Sequence, residues 1–145
     1  MRKIAQGRDS GPRAEQIRRI ADLDDAVARK GEPQEAANQQ KDIAFARSSN
    51  DATILLAEDG DAIVATAMVG HDGHRGWVYY LCSAPTERGK GLGKLMLESA
   101  EKWLRERGLW KMQFLVRKEN EAVMKIYEHL GYEKLDVVCM QKVIK

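Results

Sequence analysis

The chain predicts a mixed α/β (α+β) protein, one mostly antiparallel sheet with helices on both faces, and three observations carry that prediction. Two β-rich runs, Thr53–Ala57 and Ala62–Val69, flank Asp59-Gly60, a strong hairpin signal. An apolar run from Trp77 to Ala84 stops at Pro85, crosses a glycine-rich turn and continues as a helix with one apolar face. A further run, Lys111–Arg117, follows that helix. Strands joined by tight turns are antiparallel and strands joined through a helix are parallel neighbours, so the sheet is mixed.

The elements follow in order. Residues 1–12 are basic and broken by Gly7, Gly11 and Pro12, with a short strand expected at Lys3–Gln6. From Arg13 to Arg29 the apolar positions Ile17, Ile20, Ala21 and Val27 have helical spacing, and Gly31 and Pro33 close the segment. Residues 35–47 give a second helix through Ala36, Ala37, Ile43 and Ala44. After the hairpin, His71-Asp72-Gly73-His74 is another turn, leading into the strand at Trp77. The central helix carries Leu92, Leu95, Met96, Ala100, Trp103 and Leu104 on one face, with Gly108 where a C-cap glycine belongs. A helix from Asn120 to Leu130 closes at Gly131, and a β-like segment, Val137–Ile144, follows. The order is α α β β β α β α β, with the short strand in front.

A length of 145 residues predicts a single domain, residues 1–145, large enough for a true core. A net charge of +2 gives no argument for nucleic acid or membrane as partner. The basic residues between 88 and 118 alternate with Glu87, Glu98, Glu101 and Glu106, as on a solvated helix face. No apolar run approaches the ~18 residues of a membrane span, and no signal-peptide core stands at the N-terminus, so a cytoplasmic protein is expected. Cys82 and Cys139 form no spaced motif and are expected to be buried free thiols. His71-x-x-His74 reads as two solvated turn residues, because no third ligand has matching spacing, and no metal is expected.

The stretch Leu81–Lys94, LCSAPTERGKGLGK, organises the rest. Strand, glycine turn and helix start make an anion site: a helix opens with unpaired N–H groups and a partial positive charge, and glycine lets a ligand approach the backbone. A P-loop is excluded, since the glycine it needs is Arg88 and Leu95 follows Gly93-Lys94. A dinucleotide fingerprint is excluded too, its third glycine falling on Lys94 or Met96. What remains, Arg88-x-x-Gly91-x-Gly93 with Pro85 upstream, resembles the pyrophosphate loop of the GNAT (GCN5-related) N-acetyltransferases, [QR]-x-x-[GA]-x-[GA].

A second motif supports the resemblance. Val116, Asn120, Tyr127, Gly131 and Tyr132 stand at the spacing V-x-x-x-N-x-x-A-x-x-x-Y-x-x-x-G-[FY] often met in that family, with Val123 at the alanine position. Asn120 and Tyr127 are seven apart and so share one helix face. Singly these residues also read as an N-cap, a packed aromatic and a C-cap. The stretch Gly70–Leu81 and the ending DVVCMQKVI further resemble the YpeA-type bacterial acetyltransferases. The resemblance covers residues ~13–144 and implies the GNAT acyl-CoA N-acyltransferase fold, in which the parallel strand pair splays apart around acyl-CoA.

It also implies a chemistry. Acetyl-CoA would be the co-substrate and a primary amine the acceptor, attacking the thioester directly. Backbone groups of Leu81 and Ser83 would pair with the pantetheine arm, and an N–H near Leu81 would meet the developing oxyanion. The amides of Gly89, Lys90, Gly91, Leu92, Gly93 and Lys94, with Arg88, would hold the pyrophosphate. Asn120 would contact the cofactor, and Tyr127 would protonate the departing sulfur, a phenol of pKa ~10 being well matched to a thiolate. Neither cysteine stands beside a base as a nucleophile would.

The general base is not evident. Some relatives place a glutamate just before the Val of the second motif; here that position is Leu115, and Trp77–Pro85 holds no carboxylate. Glu58, Asp72, His71, His74 and Glu87 are candidates. Tyr79 and Tyr80 are expected on opposite faces of one strand, one of them toward the cleft. Only fourteen residues follow Gly131, which leaves no substantial loop there and an open acceptor side shaped mainly by residues 22–40. A small amine or a protein lysine then fits at least as well as a peptide N-terminus. A homodimer is left open, and the alternative function is a non-catalytic acyl-CoA-binding or regulatory module.

Overall fold

In a computed structural model, residues 2–6 and 33–145 of the chain are described. They form β1 (Arg2–Gln6), α1 (Pro33–Ser48), β2 (Ala52–Asp59), β3 (Ala62–His71), β4 (Gly76–Ser83), a single 3₁₀ turn at Pro85–Glu87, α2 (Leu92–Arg105), β5 (Met112–Gln113) and α3 (Glu121–His129). The helix expected at Arg13–Arg29 lies outside the described residues. The chain divides into two compact units, Met1–Phe114 and Leu115–Lys145.

The first unit is built on one sheet of order β1-β2-β3-β4-β5. β1 to β4 pair antiparallel, and β4 pairs parallel with β5. The mixed α/β fold and the leading strand are therefore as expected, the latter as Arg2–Gln6 against Asp59–Leu55. The β2–β3 hairpin turns on Gly60-Asp61 between Asp59 and Ala62. Central strands covered on both faces carry apolar residues nearly without a break, and six residues of β2, Ala52–Ala57, are buried in a row.

Alternation along the strands sorts the core into two layers. On one face Ile54, Leu56 and Met68 pack with Ile43 and Ala46 of α1. On the other, α2 buries Leu92, Met96, Leu97, Ala100, Trp103 and Leu104, a spacing that puts all six on one helix face. Its docking against β4 is close: Leu104 lies over Gly76, and the Trp103 ring stands 6.0 Å from that of His71, the β3 partner of Gly76. The Arg107 guanidinium covers the Trp103 ring at 3.6 Å. α2 then ends in a Schellman motif, Leu109 N–H donating to Leu104 C=O and Gly108 N–H to Arg105 C=O.

The second unit holds α3, which ends the same way: Tyr132 N–H donates to Tyr127 C=O and Gly131 N–H to Glu128 C=O. The Tyr127 and Tyr132 rings meet edge to face at 6.2 Å, the apolar contact that accompanies such a cap.

Three expectations are corrected. The strand expected over Lys111–Arg117 is only two residues long, because β5 leaves β4 after the pairs Gly76↔Met112 and Trp77↔Gln113. Val137–Ile144 forms no strand; β-branched residues make strands only where an edge offers them a ladder, and no described residue pairs with these. Cys139, in that segment, is consequently exposed rather than buried, while Cys82 is a buried free thiol as expected.

Candidate active site

The predicted anion loop is formed by backbone rather than by side chains. Arg88 is extended (φ −63°, ψ 144°), while Gly89 (φ 79°) and Gly91 (φ 76°) take the left-handed conformation that costs other residues energy. Gly91 caps α2, and its carbonyl accepts the helix's first hydrogen bond from Leu95 N–H at 3.2 Å. The amides of Leu92, Gly93 and Lys94 thus precede the helical ladder and have no intrahelical acceptor. A Cβ built on Gly89, Gly91 or Gly93 would meet nothing within 4 Å, so the loop backbone faces open space. Leu92 turns its side chain into the core and can offer a ligand only its amide. Lys90 pairs with Glu87 at 3.1 Å and Lys94 with Glu98 at 3.8 Å, so the two lysines stand on the rim.

Leu81 and Ser83 lie on β4 just upstream, where the strand is irregular. The register passes from Thr66↔Cys82 to Met68↔Tyr79, so Ala67 faces both Tyr80 and Leu81. Tyr80 sits at φ +50°, the one non-glycine residue with positive φ among those described. This is a β-bulge, and a bulge leaves one residue of the longer strand without a ladder partner. Cys82 follows it, with Sγ 3.1 Å from Thr66 Oγ1 in the buried interior.

The bulge also overturns the expected alternation of Tyr79 and Tyr80. Both line one cavity of about 620 Å³ on the α1 side of the sheet, because the extra residue brings two consecutive side chains to the same face. Asp42, Phe45, Asp51, Met68, His71, Asp72 and Trp77 complete most of its wall. Tyr80 Oη donates to Asp42 Oδ2 at 2.7 Å. Burial pushes the Tyr79 phenol above its ordinary value, and the charges of Asp42 and Asp72 add to the rise.

Of the five candidate bases, Asp72 and His71 reach the cavity and Glu58, His74 and Glu87 do not line it. Both of the first two are engaged. Asp72 Oδ1 accepts from Arg75 N–H and His74 N–H, each at 2.8 Å, and these bonds hold its carboxyl below the usual range. His71 Nδ1 accepts from Gly73 N–H at 3.1 Å, which fixes the proton on Nε2, 3.6 Å from Asp51 Oδ1. Asp42 and Asp51 line the cavity too, and neither carries a local sequence signal. Asp42 is exposed on α1 and gains its meaning from a tyrosine 38 residues away, which no local pattern reports.

In the second unit Asn120 occupies the N-cap position of α3, and Met124 N–H donates to its carbonyl at 3.1 Å. Its side chain makes no capping hydrogen bond. Tyr127 lies two turns along the same helix face, half-buried. The loop residues and β4 are thus gathered in the first unit, and Asn120 and Tyr127 in the second.

Comparison with known proteins bears on family and fold. A model described as the acetyltransferase (GNAT) family matches residues 15–132. An acetyltransferase of Yersinia enterocolitica is 43% identical over 88 residues, 61% of this chain, and this chain spans 62% of the length of that curated relative. A predicted acetyltransferase from Clostridium acetobutylicum, solved with acetyl-CoA, superposes with a TM-score of 0.79 at 17% identity, covering 98% of this chain and 96% of the other. AAC(6′)-Iy, in complex with a bisubstrate analogue, CoA-S-monomethyl-acetylneamine, superposes with a TM-score of 0.76 at 14% identity, covering 100% and 99%. Likeness at such identity speaks to the fold, and the match over residues 15–132 speaks to descent: the chain belongs to the acetyltransferase (GNAT) family.

Proposed function

We propose that the chain is an acetyl-CoA-dependent N-acetyltransferase acting on a primary amine, and that residues 1–145 are a single domain. The observation that carries this reading is the Arg88–Lys94 turn: left-handed Gly89 and Gly91, unladdered amides at the start of α2, and open space above all three glycines. A pyrophosphate needs such a cradle. The family match supports the single-domain reading, since residues 15–132 run across the boundary at 114.

Acetyl-CoA would supply an activated acetyl thioester; the chain's residues do the rest. The amides from Gly89 to Lys94 bind the diphosphate, with Arg88 beside them. β4 parts from β5 after Trp77, so Leu81 and Ser83 can offer backbone groups to the pantetheine arm. An N–H beside the bulge, near Leu81, would meet the thioester carbonyl, where negative charge would grow as the amine nitrogen attacks carbon and the C–S bond breaks; such a donor contributes a few kcal/mol. Asp42 takes the proton from the amine, directly or through water, with Tyr80 orienting its carboxylate through the 2.7 Å bond. Tyr127 gives its proton to the leaving sulfur, and Asn120 contacts the co-substrate.

Thermal unfolding with acetyl-CoA, CoA, ATP and NAD in parallel tests the loop. A ligand at ~100 times its Kd adds about 2.7 kcal/mol, several degrees for a chain of this size, and only the two CoA ligands should do so. An equal or larger shift with ATP or NAD overturns the reading. Tyr127→Phe separates an enzyme from an acyl-CoA-binding module: turnover should fall by about 10²–10⁴ with the acetyl-CoA shift retained. Undiminished turnover would remove Tyr127 from the mechanism.

A further inference from the structure

The cavity beside the bulge has a charge that the chain as a whole does not. The protein carries a net +2, yet Asp42, Asp51 and Asp72 all line this one space and, among the described residues, neither lysine nor arginine does. The aromatic side chains are just as concentrated there. Trp77, Tyr79 and Tyr80 stand in its wall, from a chain in which only 6% of residues are aromatic. Carboxylates offer charge-assisted acceptors, and aromatic faces attract cations through the ring quadrupole. Burial raises the Tyr79 phenol first, and the charges of Asp42 and Asp72 add to it. A volume of about 620 Å³ is in the range of small-molecule sites.

The carboxylates also differ in what they are free to do. Asp42 sits with Tyr80, adjacent to the bulge, where the proposed chemistry takes place. Asp51 and Asp72 flank the other end, at the His71–Arg75 turn, with Asp72 held ionised by two backbone N–H groups and Asp51 largely exposed. One carboxylate for the reacting nitrogen leaves two for a charge farther along the same molecule. We propose that the acceptor is a small aliphatic di- or polyamine: one nitrogen enters at Asp42 and is acetylated, while a second, still protonated, is held at Asp51 and Asp72 against the aromatic wall. This rests on the acetyltransferase reading for its chemistry but not for its binding. The step balances: one neutral amine nitrogen gains the acetyl carbon and loses a proton, the thiol of CoA leaves, and the second ammonium is unchanged.

The test compares 1,4-diaminobutane, butylamine and 4-aminobutanoate, matched in chain length and differing in the far group. Titration calorimetry on the full chain without acetyl-CoA should give the diamine an affinity about tenfold above butylamine, with the carboxylate-bearing amine weakest. Asp51→Asn and Asp72→Asn should each pull the diamine-to-monoamine ratio down about threefold, and ~1 M salt, where charges are screened within about 3 Å, should do the same. Two variants are needed because Asp72 also ties the turn. Equal affinity for diamine and monoamine, tighter binding of 4-aminobutanoate, or no diamine binding overturns the proposal. Because this measurement does not use acetyl-CoA, it stands apart from the CoA thermal shift: diamine binding without a CoA shift would sink the acetyltransferase reading and keep the cavity's specificity, and the reverse pair would do the opposite.

Discussion

Adding one methyl group at Gly76 should destabilise the first unit, and the amount follows from its surroundings. Gly76 is buried at the start of β4, and its φ lies outside the left-handed region, so alanine meets no backbone objection there. Space is the objection. A Cβ would overlap Leu104 Cδ1 and stand 2.6 Å from Cδ2 and 2.9 Å from Cγ. Because Cγ itself is too close, rotating the leucine's end is not enough; the whole side chain must leave a site where only 2% of it is exposed. Overpacking of this kind costs about 1–3 kcal/mol. For a chain of this length that is a fall in Tm of about 2–10 °C. Leu104→Ala alone should cost about 2–5 kcal/mol through the cavity it leaves. In the double variant each change makes room for the other, so the combined cost should fall short of the sum by about 1 kcal/mol or more. Thermal and urea unfolding followed by circular dichroism measure all three. A Gly76→Ala midpoint within about 1 °C of the parent, or strictly additive variants, would refute the close docking of α2 on β4.

Further outcomes concern the loop and two titrations. Gly91→Val puts a branched side chain at φ 76°, so stability should fall by about 1–2 kcal/mol and the acetyl-CoA shift should shrink; an unchanged shift would remove this turn from the binding site. The folded-state pKa of Asp72 is depressed, so its contribution to stability is present above ~4 and is lost as pH falls through the lower folded value. Asp72→Ala should therefore melt lower than the parent by a constant amount above about pH 5, the gap closing in stronger acid, as read by thermal melts across pH. Tyr79 is raised, so its contribution is present below ~10 and is lost as pH rises through the higher folded value. Ultraviolet titration should find one phenol ionising late. In Asp42→Asn that phenol should move part of the way back, because burial remains; no movement would deny that the cavity's charge reaches Tyr79.

Local chemistry in the sequence reported local structure well. Asp59-Gly60 announced the β2–β3 hairpin, and the glycine turn before Leu92 announced the helix whose start it caps. Those signals work because turns and caps are decided by a few adjacent residues. What the sequence hid depends on distant partners. Val137–Ile144 has every local mark of a strand but no ladder among the described residues. The two tyrosines of β4 share a face because β3 is one residue shorter across the bulge, a property of the pair of strands and not of either. The acidic cavity escaped for the same reason: Asp42 and Asp51 are ordinary surface residues until α1 and β2 bring them beside Tyr79 and Tyr80.

The strand order of the sheet has a kinetic meaning. β2, β3 and β4 are consecutive in the chain and adjacent in space, joined by turns of a few residues. Such a meander can form on the microsecond scale of hairpins, before any long loop closes. β1 must wait for more than forty intervening residues to close, and β5 for α2 to dock, so the two edges should join last. The strand side of the acidic cavity and the strand that leads into the glycine turn therefore belong to the earliest structure. The β4–β5 edge is where folding ends, at a two-residue ladder that adds little cohesion, and local unfolding should begin there too.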